Sequence, residues 1–300
     1  MDMIQNKCCR HGASLRRRRR RRRKILRSII FSCSIIAVAV FVAVGSSMIR
    51  SGDGRTNRYD VEAGNNTYDN AVIENSKISG KNKIQNNQSM LDDIMNSTQY
   101  PKQLKDLALK NEEALEFVYD YPAEHVKEHT IDLTEEASMD SVPLFVQWDK
   151  RWGYEKYSGN FFAASGCGPT TLSMVVVYLT HNREASPIAV AKYSKEAGYS
   201  VDGSGSSWTL ISEGCRHYGV KAKTVALDES RMKAELDAGH PIVINVGPGD
   251  FTDTGHFMVI TGYDDEGFSI NDPNSIEKSG KRWLFKNISS QIRAVWSMYV

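Results

Sequence analysis

Cysteine is scarce in this sequence, and it occurs in none of the spacings that bind zinc or build a disulfide framework. Of five cysteines in 300 residues, only Cys167 and Cys215 lie beyond residue 33. No Cys-x-x-Cys pair is present, so zinc modules and disulfide-rich secreted domains are excluded. We therefore expect neither a metal nor a cofactor.

A net positive charge is also absent beyond the first 50 residues. Residues 1–50 hold 13 Lys or Arg and one acid, a charge of +12, so residues 51–300 carry −10 of the total of +2. A mildly acidic domain offers no basic patch to a phosphate backbone. The composition therefore excludes nucleic acid as a partner.

The N-terminal third has the pattern of a membrane anchor. The eight arginines Arg16–Arg23 precede an apolar segment at residues 29–49 that is long enough to cross a bilayer as a helix. Because dense positive charge resists translocation, we expect a basic cytoplasmic tail at residues 1–28, a transmembrane signal anchor at 29–49 and the rest of the chain outside the cell membrane. Cleavage near Gly45, which would give a secreted protein, is the alternative.

The next segment connects this anchor to the folded part. Residues 50–97 are polar and show no sustained hydrophobic period, which predicts a disordered linker. A helical pattern then runs from Tyr100-Pro101 to about Tyr121-Pro122, with its apolar residues on one stripe: Leu104, Leu107, Ala108, Leu115 and Val118. We expect residues 98–139 to form a helical brace on a domain at 140–300.

The pattern of residues 140–300 predicts an α+β fold, with helices first and a mostly antiparallel sheet afterwards. The sequence predicts helices that begin at residues 167, 187, 208 and 229, and strands at 220–227, 241–246, 256–263, 268–271 and 294–299. Two loops, 203–207 and 247–254, are candidate edges of a cleft.

Cys167 has the sequence surroundings of an activated thiol. It lies between Gly166 and Gly168 and is followed by an apolar, helix-like run at residues 172–179. Pro169 fits the first turn of that helix, which places the sulfur at the positive end of the helix dipole. A thiolate is favoured there, and it is the nucleophile that peptide-bond chemistry needs. Cys215 has no such helix start and is interpreted as a buried structural thiol.

His256 and Asp272 are the candidate partners of this thiol. His256 begins an apolar strand, and Asp272 follows the next short strand. The turn at residues 264–267 would make the two strands adjacent, so that the carboxylate could orient the imidazole. Asn271 is the competing candidate for the orienting role.

Four blocks of this sequence, in this order along the chain, resemble a family of papain-fold cysteine peptidases. The family is related to the bacteriocin-processing enzymes that cleave after double glycine. The resemblance is to the branch of that family whose members are stand-alone secreted or surface proteins. The blocks are Val142–Trp152, Gly166–Thr171, Gly255–Phe257 and Asn271–Asn274. The resemblance covers residues 100–300 and leaves out the N-terminal third.

The resemblance implies a papain-like fold in which Cys167 is the nucleophile, His256 the general base, Asp272 the orienter and Gln147 an oxyanion-hole donor. Gln147 lies 20 residues before Cys167, a longer gap than is typical of papain-like enzymes. Since a disulfide between Cys167 and Cys215 would disable the nucleophile, we expect both thiols to be reduced.

The function implied is that of a bacterial, membrane-anchored cysteine peptidase, a hydrolase of the cell surface. Its expected partners are a peptide or protein substrate, with cell-wall peptide among the candidates, and the membrane, and the expected oligomeric state is a monomer. Two alternatives stay open. One is a peptidoglycan amidase or transamidase, because the fold fixes the nucleophile and not the acyl group. The other is a catalytically silent surface binding module of the same fold.

Overall fold

The structure is a computed structural model that describes residues 83–300. The predicted cytoplasmic tail, the signal anchor and the linker up to residue 82 lie outside the described residues and stay predictions. Within residues 83–300, no helix combines the length and the apolar character that a membrane span requires.

The described chain alternates short helices and strands. The strands are β1 (Lys156–Tyr157), β2 (Asn160–Phe161), β3 (Ser200–Val201), β4 (Gly205–Ser206), β5 (Lys221–Thr224), β6 (Ile242–Val246), β7 (His256–Asp264), β8 (Gly267–Asn271), β9 (Arg282–Trp283) and β10 (Ile292–Tyr299). The α-helices are α1 (residues 83–96), α2 (Lys102–Lys110), α3 (Leu115–Tyr119), α4 (Tyr121–Glu124), α5 (Thr134–Ser138), α6 (Phe162–Ser165), α7 (Cys167–Thr180), α8 (Pro187–Glu196), α9 (Thr209–Ser212), α10 (Glu229–Asp237), α11 (Ile276–Ser279) and α12 (Phe285–Ile288). Short 3-10 helices cover Glu112–Ala114, Gly214–Tyr218 and Ser289–Gln291.

A six-stranded antiparallel sheet forms the C-terminal half of the domain, with strand order β5-β10-β6-β7-β8-β9. Every residue of the central strand β6 is buried, because both faces of the sheet are covered. Val243 belongs to the core on one face, while Ile242 and Ile244 belong to the core on the other, as the alternation of a strand requires. The predicted α+β fold is confirmed.

The helix that begins at Cys167 is almost entirely core. All residues from Gly168 to Val177 are buried, as expected for a helix that is apolar on every side. α7 packs against α8 and β7, and the Thr171 hydroxyl donates a hydrogen bond to the carbonyl of Phe257 (Oγ1···O 3.0 Å). This bond ties the helical half of the domain to the strand that His256 begins.

The segment before residue 139 packs on the helical half. The apolar side chains of α2 and α3, among them Leu104 and Val118, form a buried cluster with Phe161 of β2 and Ala163 of α6. The helical pattern predicted across this segment is interrupted at Asn111, which is extended and accepts a hydrogen bond from the Glu113 N–H through Oδ1 (3.0 Å). Asparagine breaks the helix there because its side chain competes for backbone hydrogen bonds.

The C-terminal end of the predicted linker is ordered, which corrects the prediction of disorder for residues 83–96. These residues form α1, and Ile94 is fully buried in the same cluster, with Met90 and Leu91 packed against it. The prediction was wrong here because a few apolar residues suffice for a helix when its stability comes from tertiary packing.

Other differences concern short elements. The helix predicted at 208–218 is split into α9 and a 3-10 helix, and Gly219 ends it in the left-handed conformation. The hairpin β3–β4 and the edge strand β9 were not predicted, since strands of two residues are too short to show an alternating pattern.

Candidate active site

Cys167 is the first residue of α7 and is half-buried. Its flanking glycines leave no room for a side chain. A Cβ at Gly166 would lie 2.6 Å from the ring of Phe162, and one at Gly168 would lie 2.5 Å from Oγ of Ser206. The glycine frame therefore allows α6 and β4 to approach the thiol closely, at a helix N-terminus whose dipole favours a thiolate.

His256 and Asp272 form a buried hydrogen-bonded pair. The Nε2 of His256 lies 2.7 Å from Oδ1 of Asp272, whose side chain is 0% exposed. The same Oδ1 accepts a hydrogen bond from the backbone N–H of Asn274 (2.8 Å). Because Nε2 faces the carboxylate, Nδ1 is the ring nitrogen left for Cys167. The structure thus brings together the three predicted residues Cys167, His256 and Asp272.

The electrostatics of these residues favour a thiolate next to an imidazolium. Burial raises the pKa of the Cys167 thiol, but hydrogen bonding to His256 and its charge, with help from backbone N–H groups, hold this pKa below its ordinary value. Burial lowers the pKa of His256, but the charge and hydrogen bond of Asp272, together with the Cys167 sulfur, raise it to about 10. Cys215 differs, because burial raises its pKa to about 11.

Asn271, the competing candidate for the orienting role, is engaged elsewhere. Its Nδ2 donates to the backbone carbonyls of Val142 (3.2 Å) and Pro143 (2.9 Å). Asn271 therefore fastens the segment that leads to Gln147 onto β8, while the carboxylate bonded to the imidazole is that of Asp272.

Gln147 is buried between the two halves of the site. Its Nε2 donates to the carbonyl of Ala163 (2.7 Å), and its backbone N–H donates to the carbonyl of Pro273 (2.7 Å). An amide nitrogen carries two N–H groups, so one of them remains for a further acceptor. Gln147 is held by α6, just before Cys167, and by the loop that carries Asp272, and its oxyanion role stays a prediction.

A cleft of about 690 Å³ opens beside Cys167. The β3–β4 hairpin lines it through Gly203–Ser206, and the loop between β6 and β7 lines it through residues that include Gly247, Pro248 and Thr254. Both loops that the sequence marked as candidate cleft edges therefore border this space. A substrate lying in the cleft would reach the sulfur between them.

The brace also contacts the loop after Asp272, which the sequence pattern does not predict. The carboxylate of Glu113 accepts hydrogen bonds from the Ser275 hydroxyl and from the backbone N–H groups of Ile276 (2.7 Å) and Glu277 (3.1 Å). No pattern in the sequence connects these residues, because 162 positions separate Glu113 from Ser275.

A second pair of contacts reaches the same loop. Asn111 Nδ2 donates to the carbonyl oxygen (2.9 Å) and to Oδ1 (3.0 Å) of Asn274, and the Trp148 indole donates to the same carbonyl (3.2 Å). The N–H of Asn274 is bonded to the Asp272 carboxylate. The brace therefore fixes Asn274, and Asn274 in turn helps to fix the carboxylate of Asp272.

Comparison with known proteins agrees with the sequence resemblance. The model of the Peptidase_C39 like family matches residues 139–300, slightly more than half of the chain. This match confirms the resemblance to peptidases of the bacteriocin-processing type. No curated protein matches the chain.

Two solved structures are similar at low sequence identity. The peptidase domain of Streptococcus ComA, a bifunctional ABC transporter involved in a quorum-sensing pathway, is 19% identical with a TM-score of 0.37, over 45% of this chain and 90% of that one. A protein described as a C39-like peptidase from Bacillus anthracis is 17% identical with a TM-score of 0.34, over 53% of this chain and 95% of that one.

The brace contacts generate a prediction about Glu113. Glu113→Gln replaces one acceptor oxygen by an NH₂ group that faces N–H donors, and hydrogen bonds to a charged group contribute about 1.5–3 kcal/mol. We expect the loop that carries Asp272 to be held less firmly against the brace. As a result, alkylation of Cys167 by iodoacetamide at neutral pH, measured on the full chain, should be several-fold slower. Glu116→Gln, at an exposed brace position, is the matched control. Equal alkylation rates in the two variants would contradict a positioning role for Glu113.

Proposed function

Because the chain belongs to the Peptidase_C39 like family, we propose that it is a cysteine peptidase that hydrolyses peptide bonds through an acyl-enzyme on Cys167. The observation that carries this proposal is the alignment of three groups. A thiol at a helix N-terminus interacts with the imidazole of His256, which is held at 2.7 Å by the carboxylate of Asp272.

Acylation in this proposal begins from the ion pair. The Cys167 thiolate attacks the carbonyl carbon of the scissile bond, and the carbonyl electrons move onto its oxygen. The oxyanion then re-forms the carbonyl as the C–N bond breaks, and the imidazolium of His256 gives its proton to the leaving amine, which departs as the first product. The enzyme is left as a thioester with a neutral imidazole.

Deacylation uses the same imidazole as a base. His256 accepts a proton from water, and the resulting hydroxide attacks the thioester carbon. The C–S bond breaks, the acid product leaves, and the thiolate–imidazolium pair is restored. Asp272 keeps the ring in place throughout and favours its charged form, since a buried carboxylate stabilises the imidazolium that recurs in each cycle.

The oxyanion that forms on the carbonyl oxygen needs hydrogen-bond donors. The N–H groups in the first turn of a helix have no intrahelical acceptor, so the backbone N–H of Cys167 is one candidate. The second N–H of the Gln147 amide is the other. In comparable sites, one such donor contributes about 3–4 kcal/mol to the stability of the transition state.

We further propose that the peptidase domain acts outside the cell, anchored by residues 29–49. This rests on the sequence, in which the Arg16–Arg23 run precedes the apolar segment. In intact bacteria that express the full chain, added protease should digest the C-terminal domain and spare a tag placed before Arg16. A domain that is digested only after lysis would contradict this topology.

The nucleophile is tested by substitution and labelling. In Cys167→Ala, hydrolysis of a peptide library by the full chain should fall by at least about 10³-fold, and iodoacetamide at low concentration should no longer modify position 167. Activity restricted to purified cell-wall material would favour the amidase alternative, and capture of a peptide aldehyde without turnover would favour the binding module. Labelling of wild type at Cys215 alone would contradict the assignment of Cys167.

The same assay predicts a pH profile. Values of kcat/KM should rise as Cys167 ionises, at a pH below the ordinary thiol value of about 8.5, and should fall as His256 loses its proton towards about pH 10. Asp272→Asn removes the charge that raises the pKa of His256, so the alkaline limb should move down by about one pH unit or more. Asp264→Asn, at an exposed carboxylate paired with Arg282, is the control and should leave both limbs in place.

A further inference from the structure

The cleft beside Cys167 is lined mainly by small and uncharged residues, with one exception. Glycine, serine and asparagine dominate its walls. Apart from the ionisable thiol of Cys167, Arg293 is the charged side chain among the described residues that line it. Arg293 is exposed to solvent at this cleft. Its guanidinium is always protonated and prefers planar anionic partners.

Arg293 occupies a β-bulge at the start of β10, where this strand pairs with β6. The pairing of β10 with β6 shifts by one residue here, since Ile292 pairs with Val246 and Ala294 pairs with Asn245. Arg293 is the extra residue between them. Ile292 packs in one core and Ala294 packs against the other, so the bulge keeps both apolar contacts while it releases Arg293. Bulges beside active sites commonly redirect a side chain in this way.

The neighbouring backbone is shaped to accept this guanidinium. A Cβ at Gly247 would lie 2.8 Å from Nε of Arg293, so the guanidinium lies against bare backbone on the wall of the cleft. Arg293 also donates through one terminal nitrogen to the carbonyl of Ser290 (2.8 Å), which limits the orientations of the group. These contacts hold the arginine in the cleft without neutralising it.

The charge of Arg293 has no anionic partner in the described part of the chain. No Asp or Glu among residues 83–300 forms an ion pair with it, whereas Arg151 and Arg282 each do so with carboxylates. A guanidinium carries five N–H donors, and the Ser290 carbonyl uses one nitrogen only. Donors therefore remain for a bidentate bond to a carboxylate that enters the cleft.

We propose that Arg293 is a specificity-determining residue that binds a carboxylate of the substrate in the cleft next to Cys167. The inference rests on the proposed peptidase function and names its substrate class, which is peptides with an acidic group close to the scissile bond. The carboxylate comes either from an Asp or Glu side chain or from a free C-terminus, and both present the same planar anion.

The test compares matched peptides on the full chain. A peptide selected by library cleavage is synthesised with Glu or Gln at each position around the scissile bond, and with a free or amidated C-terminus. We expect wild type to prefer one acidic form by about tenfold in kcat/KM, which corresponds to about 1.4 kcal/mol. In Arg293→Gln this preference should disappear, and in Arg293→Lys it should persist in part. In both variants the change should come from a lower kcat/KM for the acidic peptide.

Three controls separate this inference from the proposed function. Arg282→Gln removes an equal charge outside the cleft and should keep the preference. Iodoacetamide should still modify Cys167, and not Cys215, in Arg293→Gln, which shows that the nucleophile remains reactive in a folded domain. Added salt should weaken the preference in wild type and have no such effect in Arg293→Gln.

The outcomes distinguish a failure of the Arg293 inference from a failure of the proposed peptidase function. If the preferred peptide needs an internal Glu, the source is a side chain, and if it needs a free C-terminus, the source is the terminal carboxylate. A wild-type enzyme that cleaves peptides without any acidic preference, or a preference that survives Arg293→Gln, overturns the role of Arg293 and leaves the peptidase standing. Absence of cleavage by wild type on every peptide overturns the proposed function itself.

Discussion

The interaction between the imidazole of His256 and the sulfur of Cys167 joins the two halves of the domain at their boundary. The sulfur is fixed at the start of a helix whose first turns are core, and the imidazole begins a strand that is core from its first residues. Neither group can move far without disturbing buried packing, and densely packed interiors resist such shifts. The Cys167 sulfur and the His256 imidazole are thus preorganised by the same contacts that stabilise the fold.

Holding two ionised groups in a half-buried site has an electrostatic cost, and the surroundings offset it. Burial disfavours both charges, the carboxylate of Asp272 favours the imidazolium, and the imidazolium in turn favours the thiolate. The carboxylate is itself fully buried and depends on a loop that Asn111 and Glu113 hold from the brace. These hydrogen bonds therefore connect a segment outside the family match, through Asp272 and His256, to the sulfur of Cys167.

Much of the fold and the site was predictable because it depends on local patterns. The helix start at Cys167, the strand at His256 and the short strand before Asp272 each follow from neighbouring residues, and the hairpin between the strands brings His256 and Asp272 together. The α1 helix was not predictable, because its single apolar face is stabilised by contacts with α2 and α3. The role of Glu113 and the bulge at Arg293 depend on pairings between distant segments, for which one sequence carries no periodic signal.

The charge state of His256 is the most direct test of this account. Nitrogen-15 NMR of the histidine-labelled full chain, with His256 assigned through a His256→Gln variant, reports the protonation of both ring nitrogens across pH. The account predicts an imidazolium that persists well above the ordinary value of 6.5, and a lower pKa for His256 in Cys167→Ser, where no thiolate forms. Titration of His256 at its ordinary value, with or without the Cys167 sulfur, would contradict it.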